Sequence, residues 1–430
     1  MQKIILGRNE TDLKKLGEEG TIPLGKHYIT MEREKSLANE IRLDVNKPHV
    51  ILVSGKRGSG KSYTLGVIAE GFANLKQDIK KNATTIIFDT MGIYWTMKHP
   101  NYKEDKLLRQ WQLKPTALKP RIFVPFGLIE DYEKKGLPVD FSLSLSPSDL
   151  EARDWCNIFK IDFNSNSGIL IERVILSLKQ KYSIEDIIKK IQSDDRSSEE
   201  NKNLVTARFE AVDKWSLFSE NATDFNKVLA SGETNVIDIS AYNFVEDGQE
   251  IKDLVIAVFC KKILKMRLLA RKEEEVEEVS GELNIKNKAP LVWILIDEAH
   301  EFLPREGSNL ATKPLIQLLR EGRQPGISLV LATQQPGKIH TDVITQSDIV
   351  ISHRLTAKLD VNALNDIMQS YLSFGVVKYI DNLPKLKGAA IALDDNSEKI
   401  FPLQIQPRIS WHGGEDPSII RKAKEKSLFQ

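Results

Sequence analysis

Two stretches of this sequence carry residue types able to handle a phosphate anhydride. SGKRGSGKSYT, residues 54–64, places Gly55 five positions before Gly60-Lys61-Ser62. That is the spacing G-x-x-x-x-G-K-[ST] of a loop that cradles phosphates. Glycines let the chain bend until successive N–H groups face one anion, and the helix that follows adds its positive end. The backbone of Gly55, Gly58, Ser59, Gly60, Lys61, Ser62 and Tyr63 is therefore the expected cradle, with Lys61 reaching the β- and γ-phosphates and Ser62 ligating Mg²⁺. The second stretch, LVWILIDEAHEF at 291–302, ends an apolar run in the carboxylates Asp297 and Glu298. Asp297 suits the Mg²⁺ shell, and Glu298 suits orienting and deprotonating an attacking water.

A pair of acids after a buried strand favours hydrolysis over transfer to a small-molecule acceptor, which needs no water-activating glutamate. A GTPase would also want an N-K-x-D base reader, which the sequence lacks. ATP hydrolysis is the expectation. Downstream, PLIQLLREGRQPGISLVLATQQP, residues 314–336, contains Arg320 and Arg323, three apart and so on one helix face. It closes a strand at Thr333-Gln334-Gln335, where the Gln334 amide could sense a γ-phosphate. Phosphoryl transfer gains about 10³–10⁵ in rate from an arginine on the equatorial oxygens, so these cations are candidate fingers.

Taken in order, GKRGSGKS, DTMGIYW, IDEAHEFLP, LREGRQPGISLVLATQQP and ISHRL resemble the motif series of the HerA/FtsK superfamily of ring-forming DNA motors, most closely its HerA branch. The resemblance covers most of residues 20–410. It implies a RecA-like core, a homo-hexamer hydrolysing ATP at subunit interfaces, and double-stranded DNA in the pore. By position, Arg323 matches the family's trans-acting finger, with Arg320 beside it and Arg354 a further candidate, and Gln334 matches the polar sensor. Motors of this kind work with a NurA-like nuclease, or with Sir2-like or nuclease effectors in antiphage defence, so such a partner is expected. The sequence departs from the pattern twice. Only 54 residues precede Gly55, where the family carries a substantial β-barrel, and Ile93 stands where its D-P-x-G-E-Y turn has an acid. The letters D-E-A-H at 297–300 do not mark a DEAH-box helicase, which needs two tandem cores where one phosphate loop is visible. His300 reads as a structural or coupling residue.

The elements that must position these residues form an α/β pattern. HVILVSG, TTIIFDT, RIFVPFG, NVIDIS, LVWILID, ISLVLAT, DIVISHR and AAIALD read as strands, most apolar on both faces as in a central parallel sheet. Helical spacing fills the intervals, with one helix around Ile251 to Leu269. The fold expected is a RecA-like P-loop NTPase core, a mostly parallel sheet flanked by helices, with a helical insertion. The core spans 46–130 and 226–410, and the insertion 131–225, where Ser146 and Ser148 look like caps. Residues 1–45 form a short β segment, a barrel remnant with IPLGKHYITM as its exit strand, and 411–430 a basic tail.

Net charge is +1 with 28% charged residues, which excludes a globally basic coat for nucleic acid and leaves a local basic pore. YWTMKHPNYKEDKLLRQW, residues 94–111, mixes cations with aromatics and reads either as a pore or base-stacking element or as a surface loop. The acidic run KEEEVEEVSGELNIKNK, 272–288, reads as a solvated helix end or loop. Cys156 and Cys260, without metal-ligand neighbours, read as buried thiols. With no stretch approaching 18 apolar residues and no secretory leader, a cytoplasmic protein without membrane contact is expected.

Overall fold

The computed structural model describes residues 3–31, 34–179, 181–281, 289–355, 357–368, 379–380 and 382–414. Its strands are β1 (Ile4–Leu6), β2 (Thr21–Met31), β3 (Glu34–Asp44), β4 (Val50–Ser54), β5 (Ala83–Asp89), β6 (Arg121–Pro125) and β7 (Phe141–Leu143). They continue with β8 (Thr234–Asp238), β9 (Leu291–Ile296), β10 (Ile327–Thr333), β11 (Ile349–His353), β12 (Ala389–Asp394) and β13 (Lys399–Ile405). All belong to one sheet in the order β1-β3-β2-β13-β12-β11-β4-β10-β9-β5-β8-β6-β7. From β11 to β7 every neighbour is parallel, whereas β12, β13, β2 and β3 join antiparallel.

The central strands are buried along nearly their whole length and mostly apolar because both faces are covered. Successive residues point to opposite faces. Leu52, Ile86, Phe88, Ile294 and Ile296 join one core, shared with the helices Ala152–Phe159, Asn166–Ser177 and Gly248–Ser280. Ile51, Val53, Ile87, Trp293 and Leu295 join the other, shared with the helix Lys61–Ala73 and the N-terminal strands. The result is a three-layer α/β/α sandwich, the α/β layering expected from the periodicity and the RecA-like core that the resemblance implies.

Four features differ from the local reading. In the stretch 1–45, β2 and β3 make a long hairpin, and β2 pairs with β13, so the hairpin extends the core's sheet. Gly25 allows this, since a Cβ there would strike the Gln404 backbone. Within 131–225, β7 pairs in parallel with β6; its FSL begins an alternating FSLSLS, a strand signal inside a helical region. Ser146 caps only the turn Pro147–Asp149, and the following helix starts at Ala152 under a Glu151 capping box. The helix Gly248–Ser280 runs 33 residues, well beyond Leu269. Its acidic run is helical as far as Ser280, where Arg271 pairs with Glu274, Glu275 and Glu278. Residues 282–288 of that run, and 415–430 of the basic tail, lie outside the described residues. Both cysteines are buried free thiols, and among the described residues no helix is long and apolar enough to cross a membrane.

Candidate active site

Strand order brings the two motifs together. β4 feeds the phosphate loop, β10 lies beside β4, and β9 lies beside β10, all parallel. Their C-terminal ends therefore share one edge, a position open α/β sheets use for ligands. Gly58 and Gly60 take left-handed φ values of 71° and 118°, which lets the loop close over the start of the helix Lys61–Ala73. The loop is braced internally, with the Ser59 N–H and hydroxyl both donating to the Lys56 carbonyl, at 3.2 and 2.7 Å. Lys61 is 6% exposed, its Nζ 3.4 Å from that same carbonyl. Tyr63 offers only backbone here, because its hydroxyl donates to Glu104 and accepts the Arg408 N–H.

Asp297 is buried at the end of β9, and the Ser62 hydroxyl hydrogen-bonds its carboxylate. Burial pushes the Asp297 pKa up, opposed by that bond and by the Lys61 ammonium. A hydroxyl and a carboxylate side by side are hard oxygen donors of the kind magnesium takes beside substrate phosphates, so the pair fits that ion. Glu298 turns the other way, with φ 50° and ψ 42°. Burial and the neighbouring Asp297 push its pKa to about 7. The Gln334 backbone N–H faces the Glu298 carboxylate, while Oε2 is buried without a hydrogen-bond partner, 3.5 Å from His300 Nδ1. This acid is thus held but not consumed by the protein. His300 joins the two strand ends: its Nδ1 lies 3.2 Å from Thr333 Oγ1 and its Nε2 3.3 Å from Gln335 Nε2.

The three candidate arginines separate. Arg354 follows β11, is exposed, and its carbonyl accepts the Lys56 N–H at 3.1 Å, so it stands beside its own phosphate loop. Arg320 is committed to Asp342 through Nε and Nη2, at 2.8 and 2.7 Å. Arg323 lies just before β10, at the opposite end of that strand from Gln334. The seven residues of β10 put it roughly 20 Å from its own phosphate loop. It is exposed, lines a cleft with Arg267, Glu274 and Gln324, and its side chain makes no hydrogen bond or ion pair among the described residues.

Several contacts around the site were not readable from the sequence. Asp89 accepts the N–H groups of Gly92 and Tyr94 at 2.7 and 2.8 Å, and the Tyr94 hydroxyl donates to the Ser62 carbonyl at 3.3 Å. The turn lacking the family's acid is therefore tied to the phosphate loop by its tyrosine. His353, fully buried, lies under the loop. Glu70 on the loop's helix clasps Arg408 and Ser410.

A parallel sheet with Lys61, Ser62, Asp297 and Glu298 converging at one edge defines a P-loop ATPase. The family model for the helicase HerA central domain matches residues 22–263. The chain belongs to that family, and it is a HerA-like ATPase. A model for zonular occludens toxin also matches, over residues 233–365. A probable DNA double-strand break repair helicase HerA of Methanocaldococcus jannaschii is 24% identical over 427 residues, 92% of this chain and 78% of that protein. The DNA double-strand break repair helicase HerA of Sulfurisphaera tokodaii is 24% identical over 444 residues, 98% of this chain and 77% of that one. Among solved structures, VirB4 of Thermoanaerobacter pseudethanolicus shares the fold at TM-score 0.54 and 12% identity, covering 90% of this chain and 96% of that chain. The bacterial conjugative coupling protein TrwB does so at 0.51 and 16%, covering 86% and 88%.

Proposed function

We propose that this chain is one subunit of a homo-hexameric ring that couples ATP hydrolysis to movement along double-stranded DNA, serving a partner nuclease or defence effector. The HerA relatives carry the name of DNA double-strand break repair helicases, which supports the DNA substrate. In each site Lys61 binds the β- and γ-phosphates, and Ser62 and Asp297 would hold magnesium, which would supply positive charge against the phosphates. Glu298 accepts a proton from the attacking water, with the Gln334 N–H facing its carboxylate. Gln334 also stands where its amide can report the γ-phosphate.

The observation that carries the ring is the place of Arg323. It is an exposed cation at the end of β10 remote from its own nucleotide site, a place from which it could reach a neighbour's site but not its own. Two variants test this, Glu298→Gln and Arg323→Ala. Alone, each should lose at least about 100-fold in turnover. Mixed in one ring, an Arg323→Ala site receives the finger of a Glu298→Gln neighbour, and turnover should return. Mixed rings as inactive as their parts would refute the trans finger. Duplex DNA should stimulate the wild-type ring.

One observation favours a second reading, an ATP-gated scaffold that organises and switches a partner enzyme without processive movement. In the basic stretch 94–111, Lys98 pairs with Asp140 and Arg109 with Asp105, and Lys26 stacks on Trp111. Turnover indifferent to duplex DNA would favour the scaffold.

A further inference from the structure

His353 closes β11 and is fully buried, with its ring beneath the phosphate loop. Nε2 lies 2.9 Å from Thr64 Oγ1, in the first turn of the helix that begins at Lys61. Nδ1 lies 3.2 Å from the Ala389 carbonyl. A carbonyl only accepts, so the Ala389 contact places the ring proton on Nδ1, and Nε2 shares the Thr64 hydroxyl proton with the Gly60 carbonyl, 3.0 Å from the same oxygen. The loop's glycines are fitted to the same ring. A Cβ on Gly55 would come 2.7 Å from His353 Cβ, and one on Gly60 3.4 Å from Cε1.

The neighbours of His353 hold the loop's main chain from the same side. The Arg354 carbonyl accepts the Lys56 N–H at 3.1 Å, and the Gly388 N–H donates to the Ser59 carbonyl at 3.3 Å. Residues 56–60 are thus pinned to the end of β11 and the start of β12, with the imidazole filling the space between. Burial lowers the His353 pKa to about 4, and the Lys61 ammonium adds to the shift, so the ring is neutral under ordinary conditions.

We infer that His353 is a positioning residue for the nucleotide: through Thr64, Gly55 and Gly60 it sets the curvature that aims the loop's N–H groups at the phosphates. A loop already shaped for its ligand spends less ordering entropy on binding. The inference rests on the phosphate-binding reading of the loop.

Asparagine and glutamine separate the two ring nitrogens. His353→Asn can reproduce the bond to Ala389 but falls short of Thr64, whereas His353→Gln can reach Thr64. Affinity for ATPγS, measured by titration calorimetry, should fall about tenfold in the asparagine variant, the worth of roughly one hydrogen bond. Turnover at saturating ATP should change much less than affinity. The glutamine variant should recover most of the loss. Thr64→Val should weaken binding similarly and add little in the His353→Asn background. Equal losses for asparagine and glutamine, with Thr64→Val additive, would mean that His353 merely fills space, and the inference would fall. Should the His353 variants not fold, Thr64→Val alone decides, since wild-type affinity there removes the proposed link. If Lys61→Ala itself binds ATPγS normally, the phosphate-loop reading is what fails.

Discussion

Glu298 is one of five non-glycine residues with positive φ among the described residues, and an L-residue held there costs about 1–2 kcal/mol. The backbone reversal is what gives adjacent carboxylates different environments. Asp297 faces Ser62 and Lys61, while Glu298 swings toward the end of β10 and meets the Gln334 N–H. Strain of this sort persists at sites where geometry is part of the function. Glu298→Gln keeps the shape and removes the proposed base. Steady-state turnover should drop by about 10²–10⁴ while nucleotide affinity stays within a few-fold. Turnover near wild type in that variant would remove Glu298 from the base role. The identities of Lys61, Ser62, Asp297 and Glu298 were legible because each motif is a short contiguous string beside a recognisable strand. The left-handed turn at Glu298 was not, because no local residue preference announces it.

The helix Lys61–Ala73 and the segment that follows β13 form one buried clasp. Glu70 accepts Arg408 Nε at 3.0 Å, the Ile409 N–H at 2.9 Å and the Ser410 N–H at 3.0 Å. Gly66, one turn earlier, faces the guanidinium, and a Cβ there would lie 2.6 Å from Arg408 Cζ. In an open helix, glycine to alanine stabilises by up to about 1 kcal/mol. Here the sign should reverse. Gly66→Ala would press a methyl into a desolvated ion pair, an overpacking worth about 1–3 kcal/mol, read as a lower melting temperature. A stabilised Gly66→Ala protein would show that the clasp yields easily. Among elements, the doubly apolar strands β4, β5, β9, β10 and β11 were visible because burial on both faces leaves an unbroken run. β1, β7 and β13 were not, being short or half-exposed, as was the second arm of the hairpin. Nor could any pattern reveal His353 against Thr64 or Arg408 against Glu70, contacts spanning 289 and 338 residues.

At the scale of the molecule, the N-terminal strands are fastened to the base of the core by a buried charge cluster. Arg8 and Asp44 pair at 2.6 Å, Asp348 bonds His49 Nδ1 at 2.6 Å, and the Gly7 N–H donates to Asp394 at 3.2 Å. Burial alone would lower the His49 pKa, but the bond to Asp348 and the charge of Asp44, 3.9 Å from Nε2, outweigh it and raise it to about 9. A raised histidine stabilises fully below its unfolded pKa of about 6.5, and the contribution disappears as pH climbs through the folded value. Stability should therefore fall by up to about 3 kcal/mol between pH 6.5 and 9, a decline that His49→Gln should flatten. Melting temperatures across that range decide it, and equal slopes for both proteins would show that the cluster is not proton-linked. The sheet has one more consequence. Among the described residues its edges are β1 and β7, each three residues long, or about 10 Å of exposed ladder. The longer unpaired edge lies on the β2–β3 hairpin, because β13 pairs only residues 25–27 and β1 only residues 41–43, which leaves residues 28–31 and 34–40 with a strand on one side alone. A further strand would therefore add to that arm rather than to either end of the sheet.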